Sequence, residues 1–150
     1  MEPGRLTGVE VAEALIAAID AMGGKAGVLD AGRIGIVGFC MGGALTVLAA
    51  VFVTEADAAS SWYGFPPEGA ADVTKIKIPL QLHLAEKDAS FTPEAARALE
   101  AKLKGANVPF ESYWYDAGHA FGNEKGQNYN KQAADLAWQR TTQFFEKHLK

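Results

Sequence analysis

A single cysteine, Cys40, among 150 residues leaves no intramolecular disulfide to form, so the chain is not a cross-linked secreted scaffold. No apolar run approaches the ~20 residues that a membrane-spanning helix needs, and the N-terminus lacks the apolar core of a signal peptide. These absences predict a reducing, cytoplasmic setting. Basic residues are outnumbered 14 to 18, for a net charge of −4, and form no cluster, which removes the electrostatic case for nucleic acid. Repeats, low-complexity tracts and internal linkers are missing too. What is present, 49% apolar and 21% charged residues, suits one globular domain over residues 1–150 with its own core.

Chemistry concentrates first at Gly38-Phe39-Cys40-Met41-Gly42-Gly43. The β-branched run Arg33-Ile34-Gly35-Ile36-Val37 before it reads as a buried strand. After it, Ala44, Leu45, Val47, Leu48, Val51 and Phe52 are spaced for a helix packed on a sheet. A strand, a glycine-rich turn and a helix with a reactive side chain at the tip describe a nucleophile elbow. The tip residue takes a strained backbone conformation, which Gly38 and Gly42 would relieve, while Gly43 would allow close packing. A buried structural cysteine is the competing reading, and the glycines weigh against it. A dinucleotide fingerprint would need glycine at Cys40 and an acidic end to the next strand, where Ser60-Ser61-Trp62-Tyr63-Gly64 stands. There is no Walker-type pairing of lysine with serine or threonine either.

A thiol nucleophile needs a base, and the base an orienting group. Of three histidines, His148 falls in the last turn of a C-terminal helix, where solvent is expected, and His83 lies mid-strand, where a hydrogen-bonded core role is expected. His119 instead follows the strand pattern Phe110-Glu111-Ser112-Tyr113-Trp114-Tyr115, just beyond its carboxyl end, where open α/β sheets place their chemistry. Glu86 and Asp88 compete as the acid. Glu86 beside Lys87 reads as a solvated pair, whereas Asp88 sits deeper in the turn before Thr92-Pro93, a helix start with a good cap and first-position proline. The order Cys40, Asp88, His119 is the nucleophile–acid–histidine order of α/β-hydrolases.

The remaining pattern alternates. Val9, Ala12, Leu15, Ile16 and Ile19 mark a first helix ended by Gly23-Gly24; Ala58 to Tyr63 is a short strand; Phe65 to Gly69 is a loop bordering the site. Ala95, Leu99 and Leu103 mark the helix after Asp88, and Ala134, Ala137, Trp138, Thr141, Phe145 and Leu149 one face of the last. The fold class expected is α/β, with about four parallel strands and flanking helices.

With these residues in view, the chain resembles the dienelactone hydrolase (carboxymethylenebutenolidase-like) family of α/β-hydrolases. The likeness rests on Gly38 to Gly43, Trp62-Tyr63-Gly64, Pro79 through Asp88, Gly118-His119-Ala120-Phe121 and the tail from Tyr129 to Phe145. It implies a Cys40–His119–Asp88 triad, an oxyanion donor at the Met41 backbone N–H, hydrolysis of a small-molecule ester or lactone through a thioester, and no metal or organic cofactor. Trp62, Tyr63, Phe65 and Phe121 are candidates for an acyl pocket, with core packing as the alternative.

Departures from the family pattern sharpen the expectation. Phe121-Gly122-Asn123-Glu124 stands where members that bind the dienelactone carboxylate carry an arginine, which favours a generic ester or lactone, and Ala85 replaces a frequent glycine. The family's N-terminal strands have no counterpart here, so a truncated α/β-hydrolase fold is expected, with the strand at residues 34–37 left unpaired on one side. A second copy of the chain or a separately supplied N-terminal half would cover that edge; a gene fragment, or an N-terminal helix folded over the gap, would also account for it. Two functional alternatives accompany the enzyme reading: a catalytically weak remnant acting as a binding module, and one piece of a split hydrolase.

Overall fold

The computed structural model describes residues 33–150, together with the isolated helical residue Ala17. The helix expected around Val9 to Ile19 lies outside the described residues. Four strands, β1 (Gly35–Phe39), β2 (Ala58–Trp62), β3 (Leu80–Ala85) and β4 (Phe110–Tyr115), form one parallel sheet in the order β1-β2-β3-β4. Between them run α1 (Met41–Phe52), a short 3₁₀ turn (Val73–Lys75) and α2 (Pro93–Gly105), and α3 (Lys131–His148) follows β4. The register aligns Phe39 with Trp62, Trp62 with His83, and Ala85 with Tyr115, so the carboxyl ends of all four strands lie along one rim. Crevices at that rim are where such sheets put their ligands.

Alternation along β3 divides the core. Leu80, Leu82 and Leu84 face α1 and α2, where they meet Val47, Ala50, Ala96 and Leu103. Gln81 and His83 face α3 and are fully buried, yet every polar atom has a partner. Gln81 Oε1 accepts from Ser60 Oγ and from His83 Nε2 (both 2.8 Å), and its amide donates to Glu111 and to the Arg140 carbonyl. Tyr115 O–H donates to His83 Nδ1 at 2.8 Å and accepts from Arg140, while Trp62 Nε1 donates to Thr141 Oγ1 at 3.0 Å. This network fastens α3 to the sheet beneath the rim, and the expectation of a bonded core histidine at position 83 holds.

Burial, aided by the positive charge of Arg140, pushes the His83 pKa down to about 3. Below the ordinary histidine value near 6.5, the unfolded chain therefore takes up a proton that the folded protein refuses. Stability is complete above about pH 6.5 and drains at up to ~1.4 kcal/mol per pH unit as the pH falls toward 3. The expected result is a urea midpoint that drops between pH 6.5 and 4, with His83→Gln flattening the drop. An unchanged slope in the variant would assign the acid sensitivity elsewhere.

Several expected faces are rotated. α1 buries Gly43, Thr46, Val47, Ala49 and Ala50, so small residues rather than the large apolar ones make the closest approach, and Phe52 is exposed. α2 buries Ala96 and Leu103, not Ala95, and α3 buries Ala133, Ala137, Thr141 and Phe144, leaving Trp138 52% exposed. β1 begins two residues later than the apolar run predicted and is not a buried strand. Among the described residues it pairs only with β2, and Val37 and Phe39 are about 40% exposed. His148 is half-buried against Phe144 (ring centroids 4.7 Å apart) rather than solvated. Lys87 pairs with Asp116 at 2.7 Å, not with Glu86.

Candidate active site

The turn from β1 into α1 is pinned from three sides. Cys40 N–H donates to the Trp62 carbonyl (3.0 Å), and Cys40 O accepts from Gly43 and Ala44 N–H (2.9 and 3.2 Å). Cys40 itself has φ 58° and ψ −121°, a conformation that costs a non-glycine residue on the order of 1–3 kcal/mol. Gly38 accommodates it, because a Cβ there would lie 2.0 Å from the Gly42 carbonyl oxygen. Gly42 does not share that role: a Cβ at Gly42 meets nothing within 4 Å. The second glycine the elbow needs is Gly64, whose Cβ would fall 1.8 Å from Cys40 O; Gly43 packs on Ser61 and Trp62 as its small size predicted. Cys40 is also the N-cap of α1 but makes no capping bond, which leaves its side chain free to point elsewhere.

It points at His119. The Sγ–Nε2 distance is 3.0 Å, and His119 Nδ1 is 2.8 Å from Asp88 Oδ2. Asp88 is buried, only 4% exposed, its other oxygen accepting from the Ser90 and Phe91 N–H groups, both at 2.8 Å. Those main-chain bonds close an Asx-type turn just ahead of the Thr92 cap. Nδ1–H therefore donates to the carboxylate and Nε2 is left to accept from the thiol. Glu86 is exposed and contributes nothing to this group. The structure thus brings together Cys40, Asp88 and His119, which are 31 to 79 residues apart in sequence.

Aromatic side chains close around them. Tyr63, at φ 38°, stands 5.6 Å from the His119 ring. Burial above all, with the neighbouring Cys40 adding, raises the Tyr63 pKa to about 12 against a bond from the Gly122 backbone, so its phenol stays neutral and is no base. Phe121 is fully buried between Tyr63 and Tyr115, at 5.1 and 4.9 Å, and so does not line an acyl pocket as expected. The physical reason is the loop's own closure: Asn130 N–H bonds Phe121 O, folding the ring inward. Phe65 is likewise core, against Phe91. Trp62 is 2% exposed, and its rim borders a cleft of about 300 Å³ with Phe39, Gly122, Glu124 and Trp138. Among the described residues, no lysine or arginine lines that cleft. Among the described residues, the non-glycine residues with positive φ are Cys40, Tyr63, Asn107 and Ala120; three of the four stand at this site, the pattern of strain stored where function is built.

Sequence reasoning missed Gly64 and Phe91. Gly64 carried no turn signal of its own, and only its place after Trp62-Tyr63 drew notice. Phe91 is betrayed by the Asx-turn that Asp88 initiates, a signal read for the aspartate alone.

A parallel sheet with a strained cysteine elbow after β1, a carboxylate after β3 and an imidazole after β4 defines the α/β-hydrolase fold, here with four described strands. Residues 6–149 match the family model described as the dienelactone hydrolase family, and the chain belongs to that family. It is 36% identical over 115 residues to a carboxymethylenebutenolidase of Pseudomonas putida, a match covering 75% of this chain and 48% of that protein. The chain spans about half the length of the curated relatives it matches. Among solved structures, a Klebsiella pneumoniae subsp. pneumoniae MGH 78578 protein classed with the dienelactone hydrolases superposes with a TM-score of 0.82 at 27% identity, covering 96% of this chain and 63% of its own. A dienelactone hydrolase-like promiscuous phosphotriesterase from metagenomic libraries shares the fold at a TM-score of 0.81 and 21% identity, over 93% of this chain and 62% of its own. No described helix is long and apolar enough to cross a membrane.

Proposed function

We propose that the chain is a cysteine-dependent hydrolase of ester or lactone bonds. The observation that carries this reading is the 3.0 Å approach of Cys40 Sγ to an imidazole whose far nitrogen is held 2.8 Å from a buried carboxylate. His119 Nε2 takes the thiol proton as sulfur bonds the acyl carbon, and the carbonyl π electrons move onto oxygen. Met41 N–H, the first of α1, has no acceptor within the helix and donates to that oxyanion, aided by the positive end of the helix dipole. Loss of one such donor costs roughly 3 kcal/mol, or 10²–10³ in rate. Collapse breaks the acyl–oxygen bond, the departing alkoxide takes the proton from His119, and a thioester remains. Water then attacks the thioester, giving His119 a proton that returns to the sulfur as the acid leaves. No step calls for a metal or organic cofactor.

The stretch after His119, Phe121-Gly122-Asn123-Glu124, carries no arginine, which favours a neutral acyl group over a carboxylated one. The edge of β1 that no described strand pairs is covered, in this reading, by a second copy of the chain or a complementing N-terminal half, and the protein works in the cytoplasm as a single domain. Light scattering that returned a dilute monomer would remove the second copy.

Intact-mass spectrometry after exposure to a panel of activated esters and lactones tests the function. The expected adduct has the mass of the acyl group and maps to the peptide bearing Cys40. If no member leaves an adduct, and Cys40 is alkylated no faster than a free thiol, a binding module replaces the enzyme.

A further inference from the structure

What holds the His119 ring in its plane is a separate question, and the answer rests on the triad reading above. The Asp88 bond fixes one nitrogen but leaves the ring able to tilt about it. The Phe91 ring lies against His119 with centroids 5.5 Å apart and only 24° between planes. The same residue touches the pair a second way, since its backbone N–H donates to Asp88 Oδ1 at 2.8 Å. Phe91 is in turn seated by Phe65, at 5.3 Å, and by the core on the α2 side of the sheet. One residue therefore grips the carboxylate with its main chain and the imidazole with its side chain.

We propose that Phe91 is a positioning residue for His119: its ring sets the plane from which Nε2 meets the Cys40 sulfur, and its π-face favours the imidazolium formed once the thiol proton has moved. The ring lies inside the ~6 Å range over which aromatic faces attract cations. Tyr63, inclined at 73° to the imidazole, limits its tilt without offering a parallel face.

Phe91→Leu keeps the apolar bulk and the N–H to Asp88 but removes the π-face; Phe91→Tyr restores the face. The probe is the rate of Cys40 alkylation by iodoacetamide from pH 5 to 9, alongside kcat and KM for a p-nitrophenyl ester. His119 ring-proton shifts by NMR are recorded in a Cys40→Ala background. Phe91→Leu is expected to slow alkylation at neutral pH about three- to tenfold and to lower kcat by a similar factor with KM unchanged. The His119 ring protons move downfield as the stacked ring is lost, and Phe91→Tyr restores all three readouts. Should the leucine variant fail to fold, Phe91→Met takes its place. An alkylation profile identical to the parent, even with a lowered melting temperature and shifted ring protons, overturns the proposal and leaves Phe91 as core alone. A parent that turns over no ester defeats the hydrolase reading instead, while the alkylation profile still decides the role of Phe91.

Discussion

Cys40→Ala is expected to lower turnover of a p-nitrophenyl ester by about 10³-fold or more while the far-UV circular dichroism and melting temperature stay near those of the parent. The size follows from where the sulfur sits. It is the one group at 3.0 Å from His119 Nε2, so without it the imidazole has no nucleophile to activate and only direct attack by water remains. The fold should survive because Cys40 is only partly buried and contributes no cap to α1; alanine keeps the backbone bonds to Trp62, Gly43 and Ala44. The residual rate measures what the oxyanion donor and the cleft supply by themselves. Equal rates in variant and parent would remove Cys40 from the mechanism, and a parent rate carried by a contaminant would show itself in the same comparison.

The meeting of Cys40, Asp88 and His119 was legible in the sequence because each residue is announced by its surroundings rather than by itself. Cys40 stands between an apolar run and a helical pattern, Asp88 before a Thr92-Pro93 helix start, and His119 after a strand whose bounds, Phe110 to Tyr115, the pattern located to the residue. Hydropathy said less about which helix face turns inward. In α1 and α3 the tightest packing goes to Gly43, Ala49, Ala133 and Ala137, and small residues carry almost no weight in an apolar stripe. β3 is the opposite case: Gln81 and His83 are polar and fully buried, tolerable only because partners from β2, β4 and α3 meet them there, and of the two only His83 was announced by its mid-strand place. Left-handed backbone at Tyr63 and Ala120 had no signal at all, since neither is a residue that prefers it. Those two conformations are imposed by tertiary contacts, and the position of the aromatic walls around His119 depends on them.

Gly64→Ala is expected to be the most damaging substitution away from the triad. The new Cβ would sit 1.8 Å from the Cys40 carbonyl oxygen and 3.1 Å from the Ala44 nitrogen, and both are main-chain atoms that no rotamer change can move aside. That carbonyl already accepts from Gly43 and Ala44, so the elbow has to shift bodily away from the end of β2. The shift strains the Cys40 N–H bond to Trp62 O, which holds the turn on the sheet, and the Ser61 hydroxyl bond to Gly64 O, which fixes the chain leaving β2. A cost of about 3 kcal/mol or more follows from overpacking with bond loss, together with a fall in ester turnover beyond about 10²-fold, since small misplacements of the sulfur are expensive. Gly42→Ala is the control one turn away. With nothing within 4 Å of its Cβ and a helical position, it is expected to be neutral or to stabilise by up to about 1 kcal/mol. Urea midpoints of the two variants against the parent make the comparison. A Gly64→Ala protein as stable as Gly42→Ala would mean that the elbow has room to move, and the strain at Cys40 would then have no structural source.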